Sequence, residues 1–459
     1  MSARFRPWIR SILTSMRLIA NPLLVLAGLC ATAGMTCRNA QGQPPSEFDV
    51  FEKGIDDIHT ALRSGRVTCH GIVEQYLRRI EAYNHQGPAL NAVQTVNGRA
   101  IAEADRLDAI ATGSGPAGPL HCIPVLVKDQ FATNDMKTTF GSAVFKDFVP
   151  QNDAAVVAKL RAAGAIIIGK ATMGEFASGY AGSVSGPIRN AFDPRRHASG
   201  SSGGTGAGIA ANFATVGIGE DTGGSIRGPA AAGGLVGLRP TLPLVSRYGM
   251  MPSKPSYDTA GPIARTAKDA ALVMDVIAGY DARDPVTAYA VGHIPGSFAA
   301  NLTRSGLKGV RIGVIRQPLS TTTDPTSQDY KNIRTVIEQA LREIEALGGH
   351  IVGDIVIPDA ANRVARANAG NVFESETAIN AYLAQQVNAP VRTLRDILLT
   401  GKVLPSRAKE MMEVVGHSVD EPAYGKIQRL TESTRQLVLG IMADRQLDVL
   451  VYASGDHSP

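Results

Sequence analysis

The sequence predicts an α/β fold: one large domain in which a central mixed β-sheet is surrounded by helices. Two observations carry this. Short β-branched runs alternate with segments of helical period along most of the chain. After residue 50, no repeat, low-complexity tract or linker composition divides that alternation. A chain of 459 residues, 44% hydrophobic and 19% charged, can bury a large core.

In chain order, residues 1–33 read as a signal peptide. Arg4, Arg6, Arg10 and Arg17 form a positive start, Leu18 to Ala31 an apolar stretch broken by Asn21-Pro22, and Ala31-Thr32-Ala33 a small-x-small cleavage pattern. The apolar run is shorter than the roughly 20 residues a membrane span needs. A retained anchor or a lipid-bearing Cys30 or Cys37 are the rival readings. Cleavage after Ala33 removes four positive charges from a net +5 and leaves +1. The remaining body has no electrostatic footprint for nucleic acid. The expected location is periplasmic or secreted, with no stable membrane insertion after cleavage.

Residues 34–50 read as an irregular linker and 51–459 as the folded domain. Helical periods follow at Ile55, Ile58 and Leu62, then at Ile72, Val73, Tyr76, Leu77 and Ile80 behind Thr68 as N-cap. Ile123 to Val127 is a buried strand with Lys128 at its end. A helix over 153–163 stops at Gly164, before a strand over 165–168. Strands are expected over 310–315, 350–357 and 447–452, with helices over 327–347 and 432–444. Of four cysteines, only Cys69 and Cys122 lie in the body. Their spacing is no metal motif, and two buried free thiols are expected.

Two glycine-rich segments stand out. Gly200-Ser201-Ser202-Gly203-Gly204 satisfies the G-x-S-x-G pattern of a nucleophile elbow, but an elbow needs a strand directly before it, and Asp193-Pro194-Arg195-Arg196-His197 is not one. No Gly-Lys-Ser/Thr follows to make a phosphate loop, and the Gly204-Thr205-Gly206 spacing fails the dinucleotide fingerprint. The second segment, Gly219 to Arg227, places consecutive glycines before Ser225. That frees the backbone to aim N–H groups at one point, as a developing oxyanion requires, although on these residues alone a plain tight turn is the favoured reading.

Taken together, Gly200 to Gly204 and Asp221-Thr222-Gly223-Gly224-Ser225-Ile226-Arg227-Gly228-Pro229, with the two serines 24 positions apart, resemble the signature of the amidase signature family. His121 to Asp129, Gly169 to Ala177 and Asp258 to Arg265 resemble further motifs of that family. The likeness is close over residues 52–290 and looser over 300–452. It implies a Ser-Ser-Lys triad: Ser225 as nucleophile, Ser201 as proton relay on a cis peptide with Gly200, and Lys128 as base. It also implies an oxyanion hole from the N–H groups of Thr222, Gly223, Gly224 and Ser225. Lys128 can serve only as the neutral amine, which burial and hydrogen bonding must maintain. Around the triad, Ser202 is expected to hydrogen-bond Lys128, and Asp221 and Arg227 to pair behind the site. No cofactor or metal is expected.

Ser199 and Cys122 stand where the family has glycine. Family members also continue for several tens of residues past the last strand; a natural short form and a truncated reading frame both fit. The resemblance implies hydrolysis of a small amide, anilide or carbamate through an acyl-enzyme. The rivals are an esterase on the same triad or an amidotransferase A-type subunit; least favoured is a non-catalytic binding protein. The expected partner is a small-molecule amide or ester, with a homodimer left open.

Overall fold

Backbone pairing follows the apolar runs closely. The computed structural model describes residues 48–455. The leader, its cleavage pattern and linker residues 34–47 lie outside the described residues. The linker ends earlier than expected, because Phe48 and Val50 are buried. Gln75 fixes that segment: its side chain accepts from Val50 N–H and donates to the Phe48 carbonyl. The described residues form one compact unit.

The strands are Val93–Val96 (β1), Pro124–Lys128 (β2), Ile166–Ala171 (β3), Ala181–Gly182 (β4), Gly186–Pro187 (β5), Val216–Asp221 (β6), Val236–Gly237 (β7), Thr259–Ala264 (β8), Arg311–Val314 (β9), His350–Asp354 (β10) and Val449–Val451 (β11). Six make the central sheet, in the order β1-β3-β2-β6-β8-β7. The inner strands β3, β2 and β6 run parallel; β1, β8 and β7 pair antiparallel to their neighbours. Every residue of β2, β3, β6 and β8 is buried. That explains the unbroken apolar runs that open β2 and β3, since an inner strand covered on both faces has no solvent side to alternate toward. Ile166, Ile167 and Ile168 are fully buried, and each contributes roughly 1.5–3 kcal/mol of transfer free energy.

The later strands do not extend this sheet. β9, β10 and β11 form a separate parallel sheet in the order β10-β9-β11, with helix Gln328–Ala346 crossing between β9 and β10. Between β10 and β11 in sequence lie helices Asn371–Ala384, Leu394–Leu399 and Pro405–Met412. Their apolar residues, with Phe140, Phe145, Phe148 and Phe176, form a second core. No described helix is long and apolar enough to cross a membrane.

Cys69 and Cys122 form a disulfide, where free thiols were expected. Cys69 opens helix Cys69–Tyr83, whose N-cap Thr68 accepts from Gly71 N–H. Cys122 precedes β2, and the two Cα atoms lie 5.2 Å apart. His121 is the third potential metal ligand there, its ligand atom within 4.8 Å of both sulfurs. However, its Nδ1 accepts from Ala117 N–H, which places the ring proton on Nε2 toward Cys69. The cross-link closes 53 residues, and the loss of unfolded-chain entropy is worth about 4 kcal/mol. Cys69→Ala with Cys122→Ala is expected to lower the stability measured by denaturant titration by up to that amount; an unchanged midpoint would show that the bond adds no stability.

Candidate active site

The central sheet gathers the motifs at one end. β2 and β6 are parallel neighbours, with Val127 opposite Ile218, so Lys128 and the Glu220-Asp221 pair end adjacent strands on the same edge. Sites in α/β sheets form outside the carboxyl ends of such strands. Ser201 and Ser202 lie just before helix Gly203–Ala210, and Ser225 lies between β6 and helix Arg227–Ala232. The antiparallel register of β8, with Thr259 opposite Asp221, brings Asp258 to the same edge.

Lys128 and Glu220 are fully buried. Lys128 Nζ lies 2.7 Å from Ser201 Oγ, 2.7 Å from Glu220 Oε2 and 3.3 Å from the Glu220 carbonyl. The Gly200–Ser201 peptide is cis. Gly200 is required by close approach, because a Cβ there would collide with the Gly179 carbonyl. Ser225 is half-buried, and its carbonyl accepts from Ser202 N–H at 3.3 Å, which ties the second glycine segment to the first.

Two expectations about neighbours need correcting. Ser202 does not reach Lys128. Its hydroxyl donates to the Glu220 carbonyl at 3.1 Å and accepts from Glu220 N–H at 3.3 Å, so it fixes the end of β6. Gly224 N–H, expected in the oxyanion hole, donates instead to Asp221 Oδ1 at 2.8 Å. Gly224 has φ +139°, a conformation that favours glycine. The two departures from the family pattern, Ser199 and Cys122, also sit at positive φ, +61° and +60°. Both keep the backbone shape that glycine would supply.

Asp221 and Arg227 pair as expected. The guanidinium donates through Nε at 3.1 Å and Nη2 at 3.0 Å, Ile226 N–H adds a bond at 3.0 Å, and Arg239 lies 3.3 Å away. Burial alone would raise the Asp221 carboxyl. The hydrogen bond and charge of Arg227, with the Ile226 and Gly224 N–H groups, hold it below the usual carboxylate range. The pair therefore contributes stability that is present at neutral pH and lost as pH falls through the folded value.

Two functional candidates, Glu220 and Asp258, carried no role in the sequence reading. Thr222 Oγ1 lies 2.9 Å from Glu220 Oε1 and 2.6 Å from Asp258 Oδ1, which links the two buried carboxyls. Asp258 Oδ2 accepts from Ser253 and Lys254 N–H groups. Burial first, and then the Glu220 charge, push Asp258 up to about 7. A second buried ion pair, Lys170–Asp129 at 3.2 Å, sits beside Lys128 in sequence, with Lys170 donating to Thr138. A cavity of about 820 Å³ borders Thr222, Gly223 and Gly224, with Arg227, Tyr257 and Asn368 also in its wall.

Comparison with known proteins places this arrangement. The family model described as Amidase matches residues 71–459. Among solved structures, the peptide amidase of Stenotrophomonas maltophilia superposes with a TM-score of 0.79 at 32% identity, covering 88% of this chain and 84% of that one. A probable amidase of Arabidopsis thaliana is 31% identical over 438 residues, 90% of this chain and 82% of its own length. The A subunit of the glutamyl-tRNA(Gln) amidotransferase of Halorhodospira halophila is 40% identical over 313 residues, 68% of this chain. The chain spans only 62% of that relative's length. With a family model matching most of its residues, the chain belongs to the amidase signature family.

Proposed function

We propose that this protein is a serine amidohydrolase that cleaves a small amide, anilide or carbamate through an acyl-enzyme on Ser225. The observation that carries this reading is the buried 2.7 Å contact between Lys128 and Ser201, set beside the Ser225 turn. A neutral Lys128 takes the Ser201 proton as Ser201 takes that of Ser225, and the freed Ser225 oxygen attacks the acyl carbon. Thr222 and Gly223 N–H groups, with that of Ser225, receive the oxyanion. The proton then returns through Ser201 to the departing amine, and water repeats the sequence on the acyl-enzyme. The neighbouring cavity falls within the size range of small-molecule sites.

Its mature form acts outside the cytoplasm. The arginine-bearing start and Ala31-Thr32-Ala33 support export, and the Cys69–Cys122 disulfide suits an oxidising compartment. The 40% identity to an amidotransferase component favours a second reading, as the ammonia-releasing member of such a complex. An activity screen of the isolated exported chain over aryl amides, fatty amides and carbamates separates the two. Turnover by the chain alone, with an intact mass that starts near Gly34, supports the hydrolase. An uncut cytosolic chain that is silent on every class supports the amidotransferase component.

A further inference from the structure

The hydrogen-bond geometry around Glu220 does not balance unless protons are shared. Thr222 has one hydroxyl proton and lies within hydrogen-bond distance of two carboxyl oxygens, Glu220 Oε1 and Asp258 Oδ1. One of the carboxyls must therefore donate. Asp258 Oδ2 is committed as an acceptor to two N–H groups, so a proton on Oδ1 completes a chain from Asp258 through Thr222 to Glu220. At the far end, Glu220 Oε2 meets Lys128 Nζ at 2.7 Å, with both side chains fully buried.

The charged groups facing Glu220 are Lys128, at the end of β2, and Asp258, at the entry to β8. Arg247 and Lys254 are the cations near Asp258. Releasing a proton from Lys128 to water would leave an uncompensated negative charge in this buried cluster, which is costly. Transfer within the pair leaves two neutral groups.

We propose that Glu220 is a positioning residue for Lys128 that also holds its third proton, so that the neutral amine arises by transfer across the Lys128–Glu220 contact. In that step one Nζ–H bond breaks, its electron pair stays on nitrogen, and the proton bonds to Glu220 Oε2. Rotation about Cε–Nζ then turns the lone pair from Glu220 Oε2 toward the Ser201 hydroxyl, 2.7 Å away, to take its proton. Glu220 keeps its proton while the Ser225 proton travels to Lys128 and back to the leaving amine. This inference rests on Lys128 acting as the base.

The test is the rate at which a fluorophosphonate labels Ser225, measured across pH for wild type, Glu220→Gln, Glu220→Asp and Lys128→Ala. In Glu220→Gln, Lys128 must lose its proton to water. The rate is expected to fall at least about tenfold at neutral pH, with the acid limb moved to higher pH and recovery on the alkaline side. Glu220→Asp should keep the acid limb in place with a lower plateau. An acid limb that stays put or moves to lower pH in Glu220→Gln would overturn the proposal, because Glu220 would then be at most a counter-charge holding Lys128 protonated. Should Glu220→Gln fail to fold, a Glu220→Asp plateau equal to wild type overturns it as well. Lys128→Ala labelled as fast as wild type, with the same profile, would instead refute the base assignment itself.

Discussion

Ser225→Ala is expected to lose amide turnover by at least about 10⁴-fold, the scale on which removal of a triad nucleophile acts. Ser225 sits in the half-buried turn between β6 and helix Arg227–Ala232, where substrate can approach. Ser202→Ala should behave differently, because the Ser202 hydroxyl is buried and spends both of its bonds on the Glu220 backbone. Its loss costs stability, of order 1 kcal/mol for each of the two hydrogen bonds removed, and leaves substantial turnover. Steady-state kinetics with a thermal melt of each variant separates the two serines. Full activity in Ser225→Ala with loss in Ser202→Ala would reverse their roles.

Lys128→Ala is expected to lose amide turnover by about 10²–10⁴-fold, the range of general acid–base catalysis. Hydrolysis of an activated ester should fall far less. An amide nitrogen must be protonated as it leaves, whereas a good phenoxide departs unaided, so the proton path Lys128–Ser201 matters most for the poorer leaving group. The measurement is the ratio of amide to activated-ester kcat/KM for the variant against wild type. An unchanged ratio would leave Lys128 a structural charge, part of the buried pair with Glu220 and nothing more.

What could be read from sequence follows from which interactions are local. β2 and β3 were legible because buried inner strands leave unbroken apolar runs, whereas β6, where glycines separate the apolar residues, carried no strand expectation. Helix Cys69–Tyr83 was legible through its period and the Thr68 cap. The helices between Asn371 and Met412 were not, because they bury scattered residues against the aromatic cluster around Phe145 and show no sustained stripe. The separation of β9, β10 and β11 into their own sheet was hidden too, since a strand's pattern does not say which edge it joins.

At the site, the resemblance to the family's motifs implied Lys128, Ser201 and Ser225, and the structure joins Lys128 to Ser201 directly and ties the Ser225 turn to Ser202. Spacing could not reveal partners closed by long-range contacts. The Cys69–Cys122 bond spans 53 residues, and the Glu220–Thr222–Asp258 chain depends on the antiparallel register of β6 and β8. One signal was present. Glu220 and Asp221 are consecutive acids ending a strand of otherwise apolar and glycine residues, and two carboxylates entering a core need partners.

The central claim is that Ser225 is the nucleophile. Its most direct test is to react the wild-type enzyme with a fluorophosphonate and locate the adduct by peptide mass spectrometry. Stoichiometric modification of Ser225, absent in Ser225→Ala, is the result expected. An adduct on Ser201 or Ser202, or an active enzyme that no fluorophosphonate modifies, would contradict it.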